Sequence, residues 1–281
     1  METLKEAFNE KYPAYAKRIL EKFEKVNKCE ANWENMTKPN IDKLMKSLQR
    51  EVARSSARTY GAMLKSVLNL YSDVVNIPRG VGDVLTVKRD VSQHVYLTNE
   101  EVQKIIDYTP ENDTERAVRN QFVLGCLTCA RMSDYVMFTR ENIFNNTLKY
   151  VSKKTKTKTE VPLSPMAKRI IQENEFYGFV GQEFSNVWFN KIIQDICKKI
   201  GLTEKVKLYQ GGKYIEGEKW SFIGSHTARR TAVTNLYLHG VDLYTISKLA
   251  GHSTVKQTEG YICCGLTEIS EEATMYFSSF K

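Results

Sequence analysis

The segment from Ser225 to Ile262 gathers two histidines, an arginine and a tyrosine at spacings that suit chemistry on a phosphate group. His226 and Arg229 are three residues apart, so a helix would place them on one face. Ser225, directly ahead of them, is a good N-cap residue. Because cationic side chains at a helix N-terminus favour a bound anion, the pattern predicts an anion site at the start of a helix.

The residues after this helix complete the predicted site. Gly240 is expected to end the first helix, and Asp242 to cap a second helix that ends at Gly251. His252 therefore follows at a junction of helix and loop, and Tyr261 comes after another short polar segment. This spacing favours a phenol nucleophile directed at an anion that the cations hold.

The order of these residues resembles the tyrosine recombinases, the phage-type integrase family, whose signature is Arg, Lys, His-x-x-Arg, His or Trp, and Tyr. In this chain His-x-x-Arg spans His226 to Arg229, a Leu-Ala-Gly-His run ends at His252, and Tyr261 follows. The SHTARR segment is also similar to integrases of mobile elements in the Bacteroidetes. The resemblance runs from near Tyr96 to Tyr261 and implies a site-specific recombinase that integrates or excises a mobile element or phage.

The same resemblance implies a mainly α fold with a small antiparallel β-sheet, of the α+β class. Residues 1–76 would form a helical core-binding domain of the SAM-like type, residues 77–95 a linker, and residues 96–281 the catalytic domain with a C-terminal tail. The sequence agrees with this division. Apolar residues recur at helical spacing up to about residue 75, turn residues follow, and Thr98 to Glu101 has the form of a capping box.

An arginine follows the apolar segment Phe122–Leu127. Such an arginine would be drawn toward the interior, which is costly unless an anion or a carboxylate meets it. The family has its first catalytic arginine here, usually within Gly-Leu-Arg-x-Ser-Glu, so the resemblance implies this role for Arg131. In this chain Cys-Ala replaces Gly-Leu and Asp134 replaces the glutamate. We expect Asp134 to orient or pair with an arginine rather than to do chemistry.

Residues 142–163 alternate as strands do, with Asn145-Asn146 as a tight turn. In the family a lysine of such a hairpin points toward the scissile phosphate. Counting back from Pro162, Lys154 occupies that position, and Lys156 is the second choice because a run of lysines blurs the register. A solvated loop tip is the alternative for these lysines. A second hairpin is predicted around Gln210-Gly211-Gly212, with no role assigned.

The resemblance thus implies six catalytic residues: Arg131, Lys154, His226, Arg229, His252 and Tyr261. The arginines would grip the phosphate with planar forks, and the histidines would donate hydrogen bonds to it. His226 could also take the tyrosine proton as a base. Lys154 would protonate the 5′-hydroxyl leaving group, and Tyr261 would become a 3′-phosphotyrosine without ATP. No metal or cofactor is implied, because these donors occupy the role that a divalent ion plays elsewhere.

Composition indicates the binding partner and the cellular compartment. The 281 residues include 41 Lys and Arg against 33 Asp and Glu, a formal net charge of +8, which favours double-stranded DNA as the partner. The six cysteines show no framework spacing, so reduced thiols are expected. No apolar run approaches the roughly 20 residues of a membrane span, and no signal peptide opens the chain. We therefore expect no membrane association and a cytoplasmic protein of a bacterial cell or a phage-infected host.

Basic residues concentrate between Lys38 and Lys65, where seven face only two acids. Three arginines four residues apart would form one stripe if a single helix carries them. An ordinary solvated face is the alternative, but beside a recombinase-like segment contact with the DNA backbone is favoured. The predicted DNA-binding residues, including two in the linker and one in the hairpin, are Lys46, Arg50, Arg54, Arg58, Lys65, Lys88, Arg89 and Lys156.

Two alternative functions share parts of this pattern. Type IB topoisomerases carry the same constellation and only relax supercoils, and a catalytically silent relative would bind DNA as an accessory protein. The chain ends with several apolar residues after position 272. In the family the C-terminal segment docks on a neighbouring protomer, so we expect a tetramer on DNA held through this tail.

Overall fold

In the computed structural model the chain divides into two compact units, Met1–Ser92 with Tyr209–Tyr214, and Gln93–Leu208 with Ile215–Lys281. The structure describes residues 2–88 and 92–264. Over these residues helices dominate, and the strands form one three-stranded and one two-stranded sheet. The α+β class is confirmed. Within the same residues no helix is both long and apolar enough to cross a membrane.

The first unit is built from amphipathic helices. Its elements are α1 (Leu4–Lys11), α2 (Pro13–Asn27), α3 (Lys38–Glu51), α4 (Arg54–Leu70) and the short α5 (Val81–Val84). Their apolar faces meet in one core that includes Phe8, Ile19, Phe23 and Leu44, each at most 1% exposed. Burial of these faces, rather than helix propensity, stabilises such helices.

The basic stretch of this unit does not form one helix, so the condition under which the three arginines would form one stripe is not met. The chain leaves the helical conformation at Val52 and Ala53, between α3 and α4. Arg50 therefore lies in the last turn of α3, whereas Arg54 and Arg58 lie in the first turns of α4. The four-residue spacing could not reveal a break between the first two arginines.

The second unit carries most of the chain. Its helices are α6 (Asn99–Asp107), α7 (Asp113–Thr128), α8 (Met132–Tyr135), α9 (Pro165–Phe176), α10 (Asn186–Lys199), α11 (Ser225–Leu238), α12 (Leu243–Leu249) and α13 (Val255–Glu259). Its strands are β1 (Ile143–Phe144), β2 (Thr147–Val151) and β3 (Lys158–Pro162). The strands β4 (Lys205–Gln210) and β5 (Lys213–Glu218) also belong to it, except for their ends within Tyr209–Tyr214. The predicted capping box at the start of α6 is present, with Thr98 and Glu101 each bonded to the other's backbone N–H.

Helix α7 is the central element of the second unit and is buried along almost its whole length. It packs against α11 at very short range. A Cβ atom at Gly125 would lie 2.8 Å from the Ala228 Cβ and 2.8 Å from the Tyr135 ring, so glycine is required for this approach. The close packing places the C-terminal end of α7 beside the first turns of α11, where the predicted arginines lie.

Both predicted hairpins are present. Asn145 and Asn146 have positive φ values of 46° and 67°, which fits the primed turn between β1 and β2. Strands β2 and β3 pair antiparallel with Leu148 opposite Val161, and both side chains are buried. Gly211 and Gly212, also at positive φ, join β4 to β5. The loop between β2 and β3 carries the lysine run.

The segment that holds the chemical residues folds largely as predicted. Helix α11 is followed by Gly240 at φ 79°, and the Asp242 side chain caps α12 by accepting from the Thr245 N–H. One detail is wrong: the N-cap of α11 is Gly224, and Ser225 is its first helical residue. The Gly224 N–H donates to the Thr227 hydroxyl at 3.0 Å, so a side chain within the helix caps it.

Candidate active site

Arg229 lies at the centre of the candidate site and is 1% exposed. Its Nη1 donates to the Cys129 carbonyl at 2.6 Å, at the C-terminal end of α7, and its Nη2 donates to the Ala250 carbonyl at 2.6 Å, at the end of α12. The Nη2 atom also lies 2.6 Å from His252 Nε2. Burial, followed by repulsion from Arg131, lowers the pKa of Arg229.

One donor of this guanidinium is unused. The Nε of Arg229 is buried and has no hydrogen-bond partner in the part of the chain that the structure describes. A buried donor without a partner costs about 1–3 kcal/mol. A bound phosphate oxygen could accept from this donor and remove that cost.

His252 is 5% exposed and lies directly after α12. Its Nδ1 is 3.0 Å from the Thr258 hydroxyl oxygen, and its Nε2 faces Arg229. Burial, then the positive charges of Arg229 and Arg131, lower the pKa of His252 to about 3. This histidine is therefore uncharged at neutral pH.

The Tyr261 ring packs on this pair. Its centroid is 4.9 Å from that of the His252 ring, and the Arg229 guanidinium carbon lies 5.2 Å from it. A second guanidinium carbon, that of Arg230, lies 5.8 Å from the same centroid. Both cations lie within the range of a cation–π contact. The half-buried phenol thus shares one cluster with His252 and Arg229.

Arg131 and Asp134 meet through an intervening serine. Arg131 is half-buried, and its Nη1 donates to the Ser152 hydroxyl at 3.3 Å. Ser152 in turn donates to Asp134 Oδ2 at 3.0 Å, and the Lys153 backbone N–H donates to Asp134 Oδ1 at 2.7 Å. The buried carboxylate therefore holds the end of β2 against α8. Asp134 reaches the arginine only through Ser152, which is absent from the predicted set.

His226 and Lys154 lie at the exposed side of the cluster. His226 is in the first turn of α11, and Lys154 is in the loop between β2 and β3. Although the His226 residue is partly open to solvent, burial of the imidazole is the largest cause that lowers its pKa. The charges of Arg230, Arg229, Lys154 and Arg131 follow in that order. These cations therefore lie around His226. One of them, Arg230, is adjacent to Arg229 and was not identified by the sequence pattern.

Comparison with known proteins fits this geometry. Residues 95–263, more than half of the chain, match the model of the phage integrase family. This chain is a member of the phage integrase family. The expectation of a tyrosine recombinase is thereby confirmed, whereas the Bacteroidetes subgroup stays a prediction.

The curated relatives of this family member include Xer recombinases. Tyrosine recombinase XerD of Shewanella oneidensis is 26% identical over 229 residues, which cover 76% of this chain and 73% of the relative. Tyrosine recombinase XerC of Caldanaerobacter subterraneus is 29% identical over 179 residues, 62% of this chain and 48% of the relative. The matched segment thus spans about half the length of XerC.

A solved relative shares the fold. The lambda integrase tetramer bound to a Holliday junction superposes with a TM-score of 0.64 and 16% identity, over 93% of this chain and 77% of that chain. At this identity the likeness shows the architecture alone.

The predicted DNA-binding residues of this recombinase differ in solvent exposure and in their ion-pair and hydrogen-bond partners. Lys46 pairs with Asp42 at 2.6 Å on the surface of α3. Lys65 is half-buried, and its ammonium donates to the Gly82 carbonyl at 3.4 Å, which indicates a role within the first unit. Arg89 lies outside the described residues. The remaining five are exposed: Arg50, Arg54, Arg58, Lys88 and Lys156.

Potential metal ligands and thiols lie dispersed over the described part of the chain. Among residues 2–88 and 92–264, no group of three His, Cys, Asp or Glu side chains could hold a metal ion. The six cysteines are free thiols. Burial raises the pKa of Cys129 to about 12, so this thiol stays protonated although it lies next to the site.

Proposed function

We propose that this tyrosine recombinase cleaves one strand of duplex DNA with the Tyr261 hydroxyl and later rejoins the strand to a new end. The observation that carries the proposal is the single cluster in which Arg229 and His252 contact the Tyr261 ring. Arg131, His226 and Lys154 are coupled to that cluster by charge. Permanent cations and one phenol are what attack on a phosphodiester requires when no metal takes part.

In the proposed step, side chains of this chain accept and supply every proton that moves. The Tyr261 oxygen attacks phosphorus, and the bond from phosphorus to the 5′-oxygen breaks. His226 takes the phenolic proton, which it can do at neutral pH because its pKa is lowered. Lys154 gives a proton to the departing 5′-oxygen. The reverse reaction with another 5′-hydroxyl restores the DNA without ATP, because the phosphotyrosine keeps the energy of the broken linkage.

Lys154 is favoured over Lys156 as the hairpin acid. Its charge is one of those that lower the pKa of His226, so its ammonium acts on the same site. Lys156 occupies a left-handed turn position at φ 55°. The charge of Lys156 is not among those that lower the pKa of His226.

We further propose that the exposed arginines of the first unit neutralise DNA phosphates and that the recombinase works as a tetramer on DNA. Lambda integrase, of the same fold, is a tetramer on a Holliday junction. In the second unit a groove of about 350 Å³ is lined by apolar side chains that include Val102, Leu127 and Leu236. The tail of a neighbouring copy, which carries Tyr276 and Phe277, would occupy this groove. The tail itself lies outside the described residues.

Integration or excision of a mobile element or phage, in the cytoplasm of a bacterial cell or an infected host, is the biological role that we propose. Deletion of residues 268–281 should abolish tetramers on DNA but preserve cleavage of a single site, as measured by native gels and adduct formation. Tetramers that persist would contradict the role of the tail. Strand exchange between two duplexes, rather than relaxation of supercoils alone, separates a recombinase from a topoisomerase of type IB.

The direct test uses a DNA substrate with a nick beside the cleavage site, so that the cut strand escapes and the covalent adduct accumulates. Wild-type protein should form a denaturant-resistant adduct, and Tyr261→Phe should form none. Tyr244→Phe is the matched control, because Tyr244 is an exposed tyrosine on α12 outside the cluster. Adduct formation by Tyr261→Phe would overturn the assignment. Binding without an adduct in the wild type would leave only an accessory role.

A further inference from the structure

Thr234 joins helix α11 to the chain segment that begins at Tyr261. Its side chain is completely buried and lies on α11 beyond Arg229. The Thr234 hydroxyl donates to the Tyr261 carbonyl at 3.4 Å and accepts from the Cys263 N–H at 3.1 Å. A hydroxyl has one donor and two acceptor sites, so it can make both bonds at once. The backbone is thus held on both sides of Ile262.

The backbone partners determine the direction of both bonds. A backbone N–H can only donate and a carbonyl can only accept, so the Thr234 hydroxyl is the acceptor in one bond and the donor in the other. The Cys263 thiol also donates to the Tyr261 carbonyl, at 3.3 Å, but a thiol is a weak donor. A valine in place of Thr234 would therefore remove the acceptor of the Cys263 N–H and the stronger donor to Tyr261.

The same helix contacts the Tyr261 ring. Arg230 and Thr234 are four residues apart, so they lie on one face of α11. The guanidinium carbons of Arg229 and Arg230 lie 5.2 Å and 5.8 Å from the Tyr261 ring centroid. Helix α11 therefore carries the cations beside the phenol and also the hydroxyl that binds the backbone of the same tyrosine.

We propose that Thr234 is a positioning residue whose hydroxyl holds the Tyr261 phenol in place beside Arg229. This inference deepens the proposed function and rests on it for its catalytic consequence. In-line attack needs the reacting atoms about 3–3.5 Å apart, and a misplacement of about 1 Å can slow a reaction about 100-fold. Loss of the Thr234 hydroxyl should therefore slow cleavage but leave the affinity for DNA unchanged.

The environment of the Tyr261 ring can be measured without DNA. In protein made with 3-fluorotyrosine, the Tyr261→Phe variant assigns the ¹⁹F signal of Tyr261. Thr234→Val, which keeps the shape of the side chain and removes the hydroxyl, should shift or broaden this signal, whereas Thr234→Ser should keep it. Thr231→Val is the matched control, because Thr231 is a similarly buried threonine of α11 whose hydroxyl accepts from the Leu97 N–H. It should leave the Tyr261 signal unchanged.

The functional consequence is measured on the nicked substrate in single-turnover conditions, with saturating protein. Thr234→Val should form the covalent adduct about 10- to 100-fold more slowly, while its Kd for the same DNA, measured by fluorescence anisotropy, should equal that of the wild type. Thr231→Val should keep the wild-type rate. Thr234→Ser should restore the rate, which a purely structural role of the methyl group would not allow.

Several results would contradict a positioning role for Thr234. A wild-type ¹⁹F signal or cleavage rate in Thr234→Val would overturn it, as would an equal loss of rate in Thr231→Val or a Thr234→Ser variant as slow as Thr234→Val. If Thr234→Val does not fold, hydrogen exchange of the wild-type Cys263 amide decides. Slow exchange is expected from its bond to the Thr234 hydroxyl, and exchange at the rate of an unprotected amide would overturn the role. If the wild type forms no covalent adduct, the proposed function fails, but the ¹⁹F spectra still decide whether Thr234 positions Tyr261.

Discussion

Replacement of Arg229 by lysine should weaken the fold as well as the reaction. The guanidinium joins α11 to two segments that are distant in sequence, through one bond to the Cys129 carbonyl and two bonds to the Ala250 carbonyl and the His252 ring. A lysine keeps the charge, but its single nitrogen cannot occupy the positions of both Nη1 and Nη2. At least one buried acceptor therefore loses its donor.

The magnitude follows from the number of bonds lost. A hydrogen bond from a charged donor contributes about 1.5–3 kcal/mol, and breaking one partner of a buried charged group costs about 3–5 kcal/mol. With one of three bonds retained, we expect Arg229→Lys to lower the free energy of unfolding by about 3 kcal/mol. For a domain of this size each kcal/mol shifts Tm by about 2–4 °C, so Tm should fall by about 6–12 °C.

Thermal unfolding followed by circular dichroism, without DNA and at pH 7, tests this expectation. His226→Ala is the control, because His226 is exposed and makes none of these links. Its free energy of unfolding should stay within about 0.5 kcal/mol of the wild type, although its cleavage rate should fall. A Tm for Arg229→Lys within about 2 °C of the wild type would refute the reasoning, since Arg229 would then hold no segments together.

Three further predictions concern titratable or charged side chains, two in the candidate site and one in the first unit. The folded-state pKa of His252, about 3, lies below its ordinary value of 6.5, so its stabilising contribution is complete above pH 6.5 and is lost as the pH falls toward 3. By pH 5 the wild type should therefore lose about 2 kcal/mol more than His252→Asn in urea unfolding; equal losses would contradict the burial argument. Lys154→Ala should slow cleavage by about 100-fold or more, and a sulfur leaving group, which needs no acid, should restore the rate; a larger effect of Lys156→Ala would exchange their roles. Alanine at both Arg54 and Arg58 should weaken DNA binding and reduce its salt dependence by about two phosphate contacts, as measured by fluorescence anisotropy against salt, and an unchanged slope would remove these arginines from the interface.

Much of the fold could be predicted from local sequence. The capping box of Thr98 and Glu101, the cap at Asp242 and the Asn145-Asn146 turn depend on residues close together in the chain, and the structure contains all three. The ordered set from Arg131 to Tyr261 likewise indicated the family, since it depends on residue type and sequence order. Their catalytic roles stay proposals.

Tertiary structure decided what surrounds those residues. Arg229 is buried because carbonyls at the ends of two other helices accept its protons, and one of these, Cys129, lies 100 residues away in the chain. Ser152 and Arg230 enter the site by packing, and no spacing pattern marked them. The break between α3 and α4 also could not be predicted, since the spacing of basic residues does not indicate where helical backbone hydrogen bonds stop.

The amino-acid sequence by itself determined which side chains are available for the reaction and the order in which they occur. Only the folded chain decided their protonation and direction, as the ring of His252 between Arg229 and Thr258 shows. The physical reason is that desolvation and hydrogen bonding depend on distances between atoms, and those distances exist only after remote segments have packed together.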